Sequence, residues 1–222
     1  MKADAAHSHE NRGRPKLCGQ EVPKAGHICA FFDSNEEKYE VLAPYFLDAI
    51  EAGDRVINVV EAANREQYIR GMTKAGVDMR SAIEKGQVQL SLCEETYFRD
   101  GGLDLEAVLE MLREALRSAR EADVHVRTCG EMNWVAKDPL QRQRAMEYEA
   151  RVNELLPGFE CTMLCVYDLA HTPSTMIADI LATHPFAIVQ GRLRANPWVI
   201  DSTEYMDMLR ATPSTHSDEQ LS

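Results

Sequence analysis

With 222 residues, 45% of them hydrophobic, the chain is long enough to bury one substantial core and too short for two full domains. Its 36 acidic residues against 24 basic ones give a formal charge of -12, which disfavours direct contact with a nucleic-acid backbone. No apolar run approaches the roughly 18 residues of a membrane span, and the N-terminus lacks the basic-then-apolar layout of a secretion signal. A cytoplasmic protein without membrane or direct nucleic-acid partner is the expectation. The densest basic stretch, Arg142 to Arg151, is interleaved with Glu147 and Glu149 and reads as a mixed helix face. Six cysteines (Cys18, Cys29, Cys93, Cys129, Cys161 and Cys165) are too sparse for a disulfide scaffold and are expected as reduced thiols.

Residues 1 to 24 are polar and aperiodic, as in a flexible leader, and include His7 and His9, a weak metal signal. From residue 25 onward, short apolar runs alternate with longer helical ones, the order of an α/β fold with a mostly parallel central sheet and helices on both faces. His27 to Phe32 reads as the first strand and Glu36 to Ala52 as a helix stopped by Gly53. Arg55 to Val60 is the second strand, followed by helical Arg65 to Ala75 and Met79 to Lys85. Gln87 to Leu92 makes the third strand. Leu105, Val108, Leu109, Leu112 and Leu116 form one stripe of a helix over 105–122.

Val124 to Thr128 is the fourth strand, and Pro139 to Leu155 a helix stopped at Pro157-Gly158. Cys161 to Tyr167 is almost wholly apolar, as a parallel strand buried on both faces should be. Ser174 to Ala182 follows as a helix, Phe186 to Val189 as a last strand, and Glu204 to Arg210 as a short helix within a C-terminal segment, 198–222, whose end from Thr212 is polar.

In open α/β sheets the first strand-to-helix turn commonly meets phosphates through glycine-rich backbone and a helix N-terminus. Here that stretch, FDSNEEKYE (32–40), has no glycine and carries Asp33, Glu36 and Glu37, so it is not built to cradle a nucleotide; Ser34 or Asn35 simply caps the helix. The most unusual segment is Arg127-Thr128-Cys129-Gly130-Glu131-Met132-Asn133-Trp134, at the carboxyl end of the fourth strand, where ligands of such sheets gather. Gly130 permits a sharp exit from the strand. Glu131 can serve as a base, a cation ligand or a partner of Arg127, and Trp134 as a flat apolar wall; the plainer alternative is an Arg-Glu pair closing the loop over a core tryptophan.

Glu149 and Asn153 share a helix face beside Tyr148, which orients a polar ligand if it faces a cleft. Asp168 ends the fifth strand, as a site residue or a turn starter. His184-Pro185 is a structural turn whose imidazole can reach a pocket. Cys29, Cys129 and Cys165 become neighbours if the strands run in the order fourth, first, fifth. Metal binding there, with His27, His171 or His184, is the lesser alternative to buried inert thiols, because no C-x-x-C spacing occurs. No G-x-S-x-G and no cysteine-nucleophile signature are present.

Taken in order, HICAFFDSNEE, the helix ending in Ala-Gly-Asp, RTCGEMNW, YEARVN, LCVYD and THP resemble the MEDS sensory domain of methanogens, methylotrophs and a dichloromethane-responsive regulator, from about His27 to Pro197. The resemblance implies a derived RecA-like, circadian-clock-ATPase-like core without a phosphate loop. It also implies sensing of small organic molecules such as hydrocarbon derivatives, often in fusion with a histidine kinase or a DNA-binding module. The family-like positions are His27, Arg127, Gly130, Glu131, Trp134, Tyr148, Glu149, Asn153, Tyr167, Asp168 and His184.

The expectation is therefore a sensory domain over 25–197 that binds a small organic ligand near Glu131 and Trp134 and signals to a protein partner, with no cofactor and no metal. The alternatives are an enzyme using Glu131 as base or cation ligand, and a ligand-free interaction module.

Overall fold

The computed structural model describes residues 14–99, 101–137 and 139–211. Strands β1 (Lys16–Leu17) and β2 (Gln20–Glu21) form a small hairpin turning through Cys18 and Gly19, both at positive φ (52° and 73°). Leu17 and Val22 are buried against the body, so the second half of the expected polar leader is anchored by two apolar side chains. His7 and His9 lie outside the described residues, as does the stretch from Thr212.

Strand β3 (Ala25–Phe32) leads into α1 (Asn35–Ala52). Ser34 caps that helix by accepting from the Glu37 amide at 3.2 Å, and the Glu37 carboxylate in turn accepts from the Asp33 amide at 2.9 Å. At the far end Gly53, at φ 74°, closes the helix in the left-handed conformation. Then come β4 (Arg55–Val60), α2 (Arg65–Lys74), α3 (Met79–Glu84) and β5 (Val88–Leu92). The sequence between β5 and the next long helix, which carried no predicted element, folds as α4 (Cys93–Thr96) and a second hairpin, β6 (Phe98–Arg99) with β7 (Gly102–Leu103).

Helix α5 (Leu105–Ala122) is capped by Asp104, which accepts from the Ala107 amide, and stopped by Asp123 at φ 61°. Strand β8 (Val126–Glu131) is followed by a 3-10 turn over Asn133–Ala136, α6 (Pro139–Leu155), β9 (Cys161–Asp168) and α7 (Ser174–Thr183). The expected last strand, β10 (Phe186–Val189), is followed by an unpredicted edge strand, β11 (Arg192–Ala195), in a hairpin joined by Gln190 and Gly191, both at positive φ. Arg192 and Arg194 keep that edge charged, which discourages further strand pairing. Helix α8 (Ser202–Ala211) ends the described chain.

The main sheet has seven strands in the order β11-β10-β3-β9-β8-β4-β5, all parallel except β11. The first strand does not sit between the fourth and fifth, so the condition under which Cys29, Cys129 and Cys165 would lie on three adjacent strands in that order is not met. Instead β9, an almost continuous apolar run, takes the centre, where both faces are covered. Helices α1, α2 and α3 pack on one face around Leu42, Phe46, Tyr68 and Met72. Helices α5 to α8 pack on the other around Leu109, Leu116, Met146 and Ile180.

Gly130 has a packing reason rather than a conformational one. Its φ is not positive, and a Cβ built there would lie 2.6 Å from the Tyr97 hydroxyl that the β5-to-α5 insertion brings over β8. The next ring atom, Tyr97 Cζ, would be at an ordinary 3.9 Å. Gly130→Ala is expected to cost about 1–3 kcal/mol of unfolding free energy through overpacking. Adding Tyr97→Phe, which deletes the clashing oxygen, restores part of that loss in a chemical-denaturation double-mutant cycle; strict additivity would refute the contact as the cause.

Candidate functional site

Strands β3 and β9 are neighbours, yet α1 leaves β3 toward one face of the sheet and α7 leaves β9 toward the other. A crevice opens at the carboxyl ends of two such strands, the position where open α/β sheets bind ligands. Here it is a cleft of about 510 Å³. Phe32 and Val166 supply apolar floor, and Asn35, Asn64, Gln67 and Asn133 supply amide side chains around it.

The polar floor of the cleft is organised by Glu131. Its Oε1 accepts from Lys38 Nζ at 2.9 Å, and its Oε2 accepts from the Glu61 amide at 3.2 Å and from Asn64 Nδ2 at 3.3 Å. Both groups of the pair are largely out of water, with side chains 10% and 3% exposed. Lys38 also lies 5.1 Å from the centre of the Tyr39 ring and 5.8 Å from that of Tyr68. Glu131 is thus a tether between β8, the start of α1 and the turn after β4, with both carboxylate oxygens engaged, rather than a free base.

On the rim, Lys137 pairs with Glu61 at 2.6 Å and Asp168 with His171 at 2.9 Å. Asp168 also accepts from the Ala170 amide, as a turn-starting Asp does. Its own amide donates to Asn133 Oδ1 at 3.0 Å, which ties β9 to the turn after β8.

Three of the residues marked in the sequence lie elsewhere. Arg127 points toward the opposite end of α1, where it donates to Asp54 and to the Tyr45 carbonyl and pairs with Asp48 at 2.7 Å. Its partners are aspartates at the helix C-terminus, not Glu131, since successive odd residues of β8 reach the same face but different ends of the helix. Trp134 stacks at 5.0 Å from Phe98 and 5.2 Å from Tyr97, and Tyr148 joins Tyr97 at 6.1 Å. Trp134 lines a smaller pocket of about 220 Å³ that shares Glu61 and Lys137 with the main cleft. It is therefore separated from the main cleft by that ion pair.

The remaining marked residues meet in the interior, beneath the sheet on the α6 side. Glu149 and His184 are wholly buried and His27 nearly so. Glu149 Oε2 lies 3.0 Å from His27 Nε2 and 3.6 Å from His184 Nε2, while Tyr167 donates to Oε1 at 3.0 Å. Cys165 Sγ donates to Glu149 Oε2 at 3.4 Å. Burial, then the charge of Glu149, push the Cys165 thiol well above its usual range, so the proton stays on sulfur. Burial and the neighbouring His27 push the His184 imidazole down to about 3, which keeps that ring neutral. Asn153 accepts from His27 Nδ1 at 3.0 Å while donating to the Thr183 carbonyl.

Lys38 and Asn64, which shape the cleft, carried no mark in the sequence, and Asn133 was named only as part of the segment 127–134. Lys38 stands in EEKYE, which reads as a solvated first turn, and only the lean of α1 over the sheet edge buries it.

Fold and site together define a three-layer α/β protein of RecA-like build, with a ligand-sized cleft at the carboxyl edge and a first turn closed by its own carboxylate. The chain belongs to the MEDS family, the methanogen/methylotroph, DcmR sensory domain, whose family model matches residues 26–185. Its class is accordingly that of a sensory domain. The transcriptional repressor DcmR of Methylorubrum extorquens is 24% identical over 183 residues, a match covering 82% of this chain and 66%, just under two thirds, of the repressor. Among solved structures, a KaiC-like protein of Pyrococcus horikoshii superposes with a TM-score of 0.54 at 13% identity, over 75% of this chain and 73% of that one, a likeness of fold alone. Among the described residues no helix is long and apolar enough to cross a membrane.

Removing one partner of a buried ion pair strands the other charge. Glu131→Leu is therefore expected to destabilise the protein by about 3 kcal/mol in urea unfolding, and Lys38→Met by a similar amount. The double variant should lose less than either single one. Equal or additive losses would show that the pair does not hold α1 to β8.

Proposed function

We propose that this chain is a sensor that binds a small, largely uncharged organic molecule in the cleft above Glu131 and passes occupancy to a protein partner as a change of surface. The observation that carries the reading is the combination of an open, amphipathic cleft with internally neutralised charge. Lys38 is paired with Glu131 and Lys137 with Glu61, so the walls offer amides and apolar surface rather than unpaired cations. Phosphates are poorly served: the amides at the start of α1, which would receive them, face the protein's own Ser34 hydroxyl and Glu37 carboxylate. That turn is best understood as a degenerate phosphate loop.

A hydrocarbon derivative bearing one or two polar groups fits this chemistry, in keeping with the sensory family and with a relative that is a transcriptional repressor. The elements that meet at the cleft are α1, the turn after β4 and the turn after β8, all held through Glu131. A ligand preferring one arrangement of these three would shift the population toward it.

The test is a thermal-shift screen of the full chain against small alcohols, haloalkanes, amines and carboxylic acids. A cognate compound at about 100 times its Kd should stabilise the fold by about 2.7 kcal/mol. The exposed rim substitutions Asn35→Ala and Gln67→Ala should abolish most of the gain without changing the ligand-free melting point. A broad panel that produces no shift, or a shift indifferent to both substitutions, would refute a ligand site in this cleft.

A further inference from the structure

The buried cluster beneath the sheet contains more than packing requires. Its four donor atoms, His27 Nε2, Glu149 Oε2, Cys165 Sγ and His184 Nε2, come from β3, α6, β9 and the end of α7, and all lie within 4.8 Å of one another.

Three of the four donors are oriented from behind. The His184 Nδ1 lies 2.7 Å from the Ile180 carbonyl, which can only accept, so the ring proton sits on Nδ1 and the lone pair of Nε2 faces the cluster. That Nε2 is buried and has no hydrogen-bond partner. On the other ring, the Asn153 amide nitrogen is taken by the Thr183 carbonyl at 2.6 Å, which leaves Asn153 Oδ1 to accept from His27 Nδ1. His27 Nε2 then faces inward, toward Glu149. Tyr167 holds the outer oxygen of Glu149, leaving Oε2 for the centre. Two imidazole Nε2 atoms therefore converge on one carboxylate oxygen, at 3.0 Å from His27 and 3.6 Å from His184, with the Cys165 thiol beside them at 3.4 Å.

We propose that His27, Glu149, Cys165 and His184 form a tetrahedral site for one divalent transition-metal ion of the zinc class. Zinc bonds of about 2.0–2.1 Å to nitrogen or oxygen and about 2.3 Å to sulfur give tetrahedral edges of about 3.3–3.6 Å. Four of the six donor separations, 3.0 Å (His27 to Glu149), 3.4 Å (Glu149 to Cys165), 3.5 Å (His27 to Cys165) and 3.6 Å (Glu149 to His184), are close to those edges, and the other two lie within 4.8 Å.

Charge balances too. Binding displaces the Cys165 proton to solvent, and the resulting thiolate and the Glu149 carboxylate neutralise the two positive charges, as a site without water contact demands. Nitrogen, oxygen and sulfur donors together suit zinc better than magnesium or calcium. The backing hydrogen bonds from Ile180, Asn153 and Tyr167 are the outer shell that metal-bound histidines and carboxylates characteristically carry. A surface pocket of about 390 Å³, lined by Ala25, His27 and Asn153, gives a route in from the amino edge of the sheet. Cys165 faces the α6 side of β9 while its neighbour Val166 faces the cleft, so the two sites lie on opposite faces of the sheet, and the proposal does not depend on that cleft binding a ligand.

The full-length chain, stripped with a chelator, would be titrated with Co2+ and separately with Zn2+. The expected result is one equivalent per chain, with release of the Cys165 proton. The cobalt form should show the strong visible bands of four-coordinate cobalt together with a thiolate-to-cobalt charge-transfer band, and zinc should bleach the spectrum and raise the melting temperature. The near-isosteric Cys165→Ser should remove the charge-transfer band, and Asn153→Ala should weaken affinity about 10- to 100-fold while keeping the spectrum. The wild-type titration decides the matter even if a variant fails to fold. A folded chain that takes up neither ion, or binds cobalt without a thiolate band, overturns the proposal.

Discussion

Strands β3, β9 and β8 are covered by helices on both faces, and this double burial is the constraint on which the rest of the structure depends. A polar side chain on such a strand has no water to turn to, so every charge there must find a partner from a covering helix. Strand β8 shows the consequence most plainly. Its Arg127 reaches the C-terminal end of α1 through Asp48, Asp54 and the Tyr45 carbonyl, while its Glu131 reaches the N-terminal end through Lys38. The guanidinium also lies where the helix dipole favours positive charge. One strand thus fastens one helix at both ends, and the cleft opens above the second of these fastenings.

The other face obeys the same rule with a different outcome. There Glu149 of α6 is directed into the sheet, and its partners are two histidines, a tyrosine and a cysteine rather than a lysine or an arginine. None of these carries an obligatory positive charge, which is why the cluster is chemically distinct from the two fastenings of α1. The two faces of one sheet therefore hold two kinds of polar centre, a paired one that shapes the cleft and one rich in metal-type donors.

Much of the architecture was legible in the one-dimensional pattern, because apolar periodicity and local caps act over a few residues. Helices α5 and α6 and strand β10 have the bounds that the apolar stripe, Pro157-Gly158 and the flanking turns indicated. The β5-to-α5 insertion and strand β11 were missed for the opposite reason. Pieces of two to four residues have no period to detect, and they are held by what they touch. The strand order was likewise invisible, since a parallel crossover of any length leaves the choice of neighbour to burial.

For the sites, the sequence alone determined which residue types stand near the strand ends: a first turn without glycine, Glu131 shortly after a fourth strand that was expected to stop at Thr128 and runs on to Glu131, Asp168 ending the fifth strand, and a helix carrying Glu149 and Asn153 four residues apart. Only the tertiary structure decided their company. It set Lys38 rather than Arg127 against Glu131, drew Trp134 and Tyr148 into an aromatic cluster with Tyr97, and brought His27, Glu149, Cys165 and His184 to a common point from four separate elements. The physical reason is range. A cap or a stripe is written in neighbouring residues, whereas a buried charge takes whichever partner the packing of distant elements delivers to it.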